Sequence, residues 1–327
     1  MDLLADVLAV SGVRGTVASR VEAGELWGLW LPALPGAAFH AVTAGIAWLR
    51  VPGRAPLRLM PGDVVLLPTG SEHSLSSGPD VISRPCDRIA AEQARAEGGV
   101  LRLGTGPVQT HVLCAGYEHD PAISTQVLAL LPEVVHIRAD NGGTCLDDTV
   151  RLLARELAHP QLATAVVLDS LVDILLVQLL RVWLATGPAE VAGTWLGVLG
   201  DPVATDALTA LHREPARAWT TASLAAEIAV SRATLARRFP AAVGQTPGAY
   251  LTRWRMDLAA RRLRDTDDPL DAVARSVGYS SVYAFSHAFS RVRDEPPGRY
   301  RTTSRRAPRP GPCSAGDHSP AGATPTA

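Results

Sequence analysis

The chain has 327 residues, 47% of them hydrophobic and 19% charged, with a formal net charge of −1, which places it among folded globular proteins of roughly two domains and excludes a wholly disordered chain. Every one of its 31 basic side chains is an arginine, and their layout is uneven: residues 1–200 hold 13 Arg against 20 acids, a net of −7, whereas residues 201–306 hold 17 Arg against 11 acids, a net of +6. A basic C-terminal module on an acidic body favours a polyanionic partner for that module alone and argues against an architectural protein that binds nucleic acid without reading sequence.

Met1-Asp2-Leu3-Leu4 lacks the basic region and small-residue cleavage site of an export signal, so none is expected. From Leu26 to about Gly116, short apolar runs (Trp27–Leu31, Phe39–Val51, Val64–Leu67, Val100–Leu103 and Val108–Cys114) alternate with Gly and Pro, the pattern of strands in a sandwich or barrel. Between them Cys86–Gly99 is charged and Ala-rich and is expected to be a mobile loop or one exposed helix turn. After Pro121 the texture turns helical, at Thr149–Ala158 and Ala163–Ala185, with Leu and Val at spacings of three and four. In the second segment Leu168, Leu171, Val172, Leu175, Leu176, Leu179, Leu180 and Trp183 cover more than one helix face; a subunit interface and burial between the sheet and the next domain both account for that surplus. Asp169, Asp173 and Gln178 interrupt the run, so no membrane span is expected. Gly187-Pro188 and Gly200-Asp201-Pro202 punctuate the passage to the basic module. From Ala307 onward Pro, Gly, Ser, Thr and Ala dominate, and the tail is expected to be disordered. Cys86, Cys114, Cys145 and Cys313 form no C-x-x-C pair, so neither a zinc knuckle nor a disulfide framework is written here and a reducing cytosol is expected.

The basic module contains a repeat. Leu224–Phe239 and Val273–Phe289 share one template: a short helix of small and apolar residues, a tight turn, and a second helix with anchors four residues apart, Leu235/Phe239 in one and Phe285/Phe289 in the other. Such anchors share a helix face, so the residues between them point outward, and each stretch is predicted to be a helix-turn-helix unit. Thr220 or Thr221 can cap the first helix, Ser231 and Ser281 stand where the outward helices begin, Asp268-Pro269 offers an N-cap followed by Pro, and Gly278 suits the turn. Pro247–Leu263 is predicted to be one connecting helix of about 17 residues, or about 25 Å, holding the units apart as a rigid pair on the roughly 34–36 Å scale of successive major-groove turns.

Trp254-Arg255-Met256 with Ala259-Ala260-Arg261-Arg262-Leu263, the Gly244-Gln245-Thr246-Pro247 and Tyr250-Leu251 after the first unit, and Gly278-Tyr279-Ser280-Ser281 with Phe285 to Phe289 in the second resemble the AraC/XylS family of bacterial transcription regulators over about residues 205–301. The resemblance implies a seven-helix DNA-binding domain that sets both recognition helices in adjacent major grooves. By that similarity the DNA-facing residues are Ser231, Arg232, Ala233, Ala236, Arg237 and Arg238 in the first unit, with Arg237 as base reader and Arg232 and Arg238 nearer phosphates. In the second unit they are Ser281, Val282, Tyr283, Ser286 and His287, while Leu235, Phe239, Phe285 and Phe289 are core. Two stretches depart from the family pattern. Pro240 directly follows Phe239, where it removes a helical hydrogen bond and is expected to end or kink the recognition helix. Arg293-Asp294-Glu295-Pro296-Pro297 replaces an apolar-Gly-x-Thr-Pro stretch, which predicts a locally different last turn.

Gly62 to His73 reads G-x5-P-x-G-x2-H and resembles the second cupin motif. With Val112 to Tyr117 and Leu130-Leu131-Pro132 it is similar to the cupin-like sensor half of one AraC subgroup, in which a small barrel binds an effector and a following helical segment pairs two subunits. The first cupin motif should offer two His and a Glu, and only His40 stands in its place; a metal would need His40 and His73 joined by Glu72 or His111, whereas both histidines also read as hydrogen-bonded pocket or core residues. Relatives of this type can use cysteine oxidation as a signal. For that Cys114 needs a lowered pKa and a resolving partner such as Cys86 or Cys145, and a buried strand cysteine also reads as simple packing. The effector-pocket candidates are therefore His40, His73 and Cys114, with no metal, cofactor or catalytic residue assigned.

The resulting expectation is an α+β chain: a cupin-like, effector-sensing β-barrel at 1–120, a helical linker and dimerisation segment at 121–200, an AraC-type all-α domain with two helix-turn-helix units at 201–306, and a disordered tail at 307–327. Its expected function is that of a cytoplasmic, homodimeric transcription regulator that binds double-stranded DNA and answers to a small-molecule effector. A metal-dependent cupin enzyme with an accessory DNA module, and a thiol-based redox regulator, stand as the alternatives.

Overall fold

The computed structural model describes residues 3–11, 13–33, 36–85, 100–118, 128, 131–140, 143–185 and 201–306; the Cys86–Gly99 segment and the tail from Ala307 lie outside them. Strands β1 (Arg14–Glu25), β3 (Ala37–Ala44), β6 (Val64–Leu67), β9 (Val100–Leu103), β10 (Thr105–Glu118) and β11 (Val135–Ile137) form one sheet in the order β11-β6-β3-β10-β1-β9. The second sheet runs β5-β4-β7-β2-β8, from β2 (Gly28–Leu31), β4 (Ala47–Arg50), β5 (Leu57–Leu59), β7 (His73–Ser76) and β8 (Arg84–Pro85).

Alternation along the strands decides which face each residue takes. Val42, Val65, Leu67 and Val112 pack against Leu29, Leu49, Leu59 and Leu75 of the second sheet. Their neighbours Phe39, Val64, Leu66, Leu113 and Tyr117 turn the other way, into a core shared with helices α2 (Gly143–Ala158) and α3 (Thr164–Ala185). The larger sheet is thus the middle of three layers, and because both its faces are covered Val64–Leu67 is buried at every position instead of alternating. The expected barrel is a two-sheet sandwich: among the described residues no strand is shared by the sheets, and the edges β5 and β11 face each other across an open seam, where Arg54 approaches Glu133 at 3.8 Å.

The Leu-rich face of α3 serves this packing. Leu171, Val172, Leu175, Leu176, Leu179, Leu180 and Trp183 are all buried within the chain, so burial against the sheet accounts for the apolar surplus at these seven positions. The outward face instead carries Val166 and Ile174, 67% and 46% exposed. The seat on the sheet is close: the Gly15 N–H donates to Asp173 Oδ1 at 2.5 Å and the Tyr117 hydroxyl to the Val172 carbonyl at 2.8 Å.

Residues 201–306 fold into α4 (Pro202–Arg213), α5 (Thr221–Glu227), α6 (Arg232–Val243), α7 (Pro247–Asp265), α8 (Leu270–Ser276), α9 (Val282–Arg293) and α10 (Pro297–Arg306), the seven helices that the resemblance implied. Three local expectations are corrected. Pro240 does not end α6, which continues to Val243 and closes on Gly244 in the left-handed region, whose N–H donates to the Pro240 carbonyl at 2.9 Å. Asp268 does not cap α8: Pro269 occupies that position without a side-chain cap, and the Asp268 carboxylate takes Arg262 at 2.5 Å. The helix predicted at Thr149–Ala158 begins earlier, at Gly143. The unusual last turn is accommodated by Asp294 in the left-handed region, φ 58°. An N-terminal helix, α1 (Leu3–Ser11), packs against α4 and α7, joining the two halves.

Candidate functional site

In each helix-turn-helix unit a serine sets the start of the outward helix. Ser231 accepts the Thr234 N–H at 3.0 Å and Ser281 the Ala284 N–H at 3.4 Å, occupying donors that the first helical turn leaves free. Thr220 caps α5 in a reciprocal arrangement with Ser223. Left-handed residues turn the chain just before, Ala229 at φ 54° and Gly278 at φ 84°; at Gly278 a Cβ would come within 2.6 Å of the Ala216 carbonyl oxygen, so that turn has no room for a side chain. Leu235, Phe239, Phe285 and Phe289 are fully buried, as expected of the anchors.

The opposite faces are open. Ser231, Arg232, Ala233, Ala236 and Arg237 on the first unit are exposed, as are Ser281, Val282, Tyr283 and His287 on the second, with Ser286 half-buried. Tyr283 is 82% exposed, a large aromatic with no packing role. Arg238 differs from Arg232, its expected companion near phosphates, and from Arg237: its guanidinium is turned back to Asp201, the N-cap of α4, with Nε donating to Oδ2 at 3.0 Å. Neither of those two has an ion-pair partner among the described residues.

The strut α7 fixes how the units sit. Arg255 donates from Nε to the Pro215 carbonyl at 2.6 Å and from Nη2 to the Arg217 carbonyl at 2.8 Å, and its guanidinium stands 5.9 Å from the Tyr279 ring; one side chain thereby touches the loop before the first unit and the turn of the second. A buried Arg293–Asp257 ion pair ties α9 to α7.

In the sandwich the three pocket candidates do come together. Cys114, His40, Val65 and His136 are register neighbours across β10, β3, β6 and β11 and so share the face turned toward the second sheet, from which His73 reaches back. His40 Nδ1 lies 3.1 Å from Cys114 Sγ, His40 Nε2 lies 2.8 Å from His73 Nε2, and His73 Nδ1 lies 2.7 Å from the Ser71 carbonyl. A carbonyl only accepts, so His73 carries its proton on Nδ1; its Nε2 then accepts from His40 Nε2–H, and His40 Nδ1 accepts the Cys114 S–H. In this arrangement every linked group is neutral. Burial, then the neighbouring His73, hold His40 well below the ordinary imidazole value, and burial lowers His73 against the opposing pull of the Ser71 carbonyl. Burial pushes the Cys114 thiol up to about 12, the reverse of what a reactive thiolate requires. The redox alternative is not favoured: Cys114 is a hydrogen-bonded thiol, Cys145 is exposed, and Cys86 lies outside the described residues.

His40 and His73 are buried and Cys114 is partly buried. A cavity lies at the seam, lined by Leu49, Val51, Arg54, Ala55, Leu57, Val134 and His136. Sequence reading passed over Arg54 and His136 because neither belongs to a motif; the available signal was the motif's own Asp63, which accepts from the Met60 and Ala139 N–H groups at 3.0 Å and holds His136 Nε2 at 3.2 Å. Among the described residues no group of three or more His, Cys, Asp or Glu is arranged to hold a metal ion, Glu72 and His111 standing apart from the histidine pair. No described helix is long and apolar enough to cross a membrane.

Residues 2–185 match the Cupin family and residues 224–303 the Helix-turn-helix domain family. A protein named as an AraC-like transcription regulator of Streptomyces lividans is 41% identical over 303 residues, covering 92% of this chain and 98% of that protein. The HTH-type transcriptional regulator AlkR of Acinetobacter baylyi is 28% identical over 282 residues, covering 85% and 92%. Among solved structures, the DNA-binding domain of the global transcriptional factor AdpA in complex with a target DNA is 32% identical and covers 32% of this chain and 94% of that chain, at a TM-score of 0.30. The chain belongs to the AraC-like transcription regulators, DNA-binding proteins whose paired helix-turn-helix units follow a cupin half.

Proposed function

We propose that α6 and α9 read DNA through Ser231, Arg232, Ala233, Ala236, Arg237, Ser281, Val282, Tyr283, Ser286 and His287, and that the sandwich half senses a small-molecule effector. The observation that carries the first part is the contrast within α6, where Arg238 is tied to Asp201 while the exposed Arg232 and Arg237 have no carboxylate partner among the described residues. A free guanidinium on a recognition helix can take guanine O6 and N7 together or a phosphate. The division of labour follows the expected boundaries, sensing at 1–120, subunit pairing at 121–200 and DNA binding at 201–306, in a cytoplasmic homodimer without catalytic activity. Pairing falls to the outward face of α3, where an antiparallel second copy brings Val166 and Ile174 against apolar partners and sets Asp169 opposite the exposed Arg181. An effector shifts the dimer's arrangement only to the extent that it binds one arrangement better.

Genome-wide mapping of bound sites supplies the operator for the test. On that operator Arg237→Ala is expected to cost about 1–3 kcal/mol of discrimination against random duplex; an equal loss on both duplexes reduces Arg237 to a phosphate contact. Failure to bind any mapped duplex overturns the assignment, and a monomer at high concentration overturns the α3 interface.

A further inference from the structure

The seam cavity has a volume of about 240 Å³, with Leu49, Val51, Leu57 and Val134 as its walls and Arg54 and His136 as its polar residues. That is below the roughly 300–1,000 Å³ of drug-sized sites, so its occupant is small. The walls belong to the apolar core between the sheets, Leu49 and Val51 being 1% and 4% exposed. The polar end is built from two groups in different states. His136 is fixed by the buried Asp63, itself held by two backbone N–H groups. Arg54 is loosely held: Glu133 stands 3.8 Å away and both side chains are about half exposed, 49% and 45%, a pair worth less than about 1 kcal/mol. A guanidinium so placed offers two parallel N–H donors to a planar anion.

We propose that this seam binds a small apolar carboxylate, the carboxylate replacing Glu133 on Arg54 and the body lying on Leu49, Leu57 and Val134. The proposal rests on the reading of the sandwich half as a sensor and names its ligand class. The position is suited to transmission. Val134 and His136 face the cavity, while Val135 and Ile137, alternating with them, turn into the helix core, where β11 packs against α3. An occupant that releases Glu133 and wedges against Val134 therefore bears on a three-residue strand whose other face touches the helix assigned to subunit pairing.

The test titrates the full-length protein with benzoate and hexanoate, and with their amides, which keep the shape and lose the charge. Calorimetry is expected to show both carboxylates binding at least tenfold more tightly than the amides. Arg54→Gln is expected to bring the carboxylates down to the level of the amides. Ala55→Trp, at an exposed residue of the lining, is expected to abolish all binding without lowering the unfolding temperature. Carboxylate binding that survives both substitutions, or none for either carboxylate up to about 10 mM, overturns the site. Operator affinity measured in the same solutions separates the site from the sensor reading. Binding that Arg54→Gln weakens but that leaves operator affinity unchanged supports the site and refutes its sensory role; a carboxylate-dependent change in operator affinity that persists in Ala55→Trp keeps the sensor and refutes the site.

Discussion

Acid is expected to destabilise this protein through His212 by an amount that one substitution isolates. The imidazole is 8% exposed, stacked on Trp254 at 3.9 Å between ring centroids, and its Nε2 lies 2.6 Å from the Tyr250 hydroxyl. Burial lowers its pKa from 6.5 to about 4, so desolvation outweighs the attraction of Asp6, 3.5 Å from Nδ1. Because the folded-state value is depressed, the unfolded chain takes up the proton first as pH falls below 6.5; stability is flat above that point and is lost on the way down to the folded value. With one pKa unit worth about 1.4 kcal/mol and the folded group half-protonated at pH 4, the loss there is about 3 kcal/mol. Urea unfolding of the wild type and of His212→Gln at pH 7 and pH 4 gives the comparison. His40 and His73 are shifted the same way and contribute to both proteins, so only the difference between the two pH losses counts. If wild type and variant lose stability in parallel, desolvation of His212 is not the cause and the reasoning fails.

Gly15→Ala places a Cβ 2.3 Å from Val172 Cγ1 and is expected to cost about 1–3 kcal/mol as α3 is pushed from the sheet; an unchanged thermal melt shows that the seat is looser than described. Arg255→Ala strips the Pro215 and Arg217 carbonyls of a charged donor, worth about 1.5–3 kcal/mol per bond. Binding to a full operator is expected to fall more than binding to either half-site, and equal loss on both removes the positioning role. Tyr283→Ala, at a residue 82% exposed, is expected to leave stability within about 0.5 kcal/mol while operator affinity drops, whereas a lower melting temperature with unchanged affinity reverses the assignment.

The helical module was open to sequence reading because its signals are local. Anchors four apart, capping serines and a turn glycine each act within one or two helix turns, and the structure keeps all of them. The errors there were also local: Pro240 was expected to break a helix that continues to Val243, its lost bond being tolerated in the last turns, and Asp268 was expected to cap where it pairs with Arg262 instead. The sandwich was less open. Strand β1 was missed entirely, since its run of Arg, Gly, Ala, Ser and Glu contains no apolar cluster and becomes a central strand only because β9 and β10 flank it. The seam cavity was hidden for the same reason: Arg54 and His136 are 82 positions apart in the chain, and only the meeting of two sheet edges brings them together.

The two buried histidine sites bear on the kind of signal this regulator answers. His40 and His73 join the two sheets, and His212 joins α1 to the helices of the DNA-binding module; these are joints where a change of charge would be felt across an interface. Yet all three have pKa values lowered by burial, and the proton chain from Cys114 to Ser71 is satisfied with every member neutral. Near neutral pH none of these joints changes charge, and the Cys114 thiol, at about 12, is protonated there as well. Protonation and thiolate chemistry are thus both remote from these sites under ordinary conditions. That favours the proposed small-molecule effector over a proton or an oxidant at these sites, and among the described residues a cavity beside a loosely paired charge lies at the seam between β5 and β11.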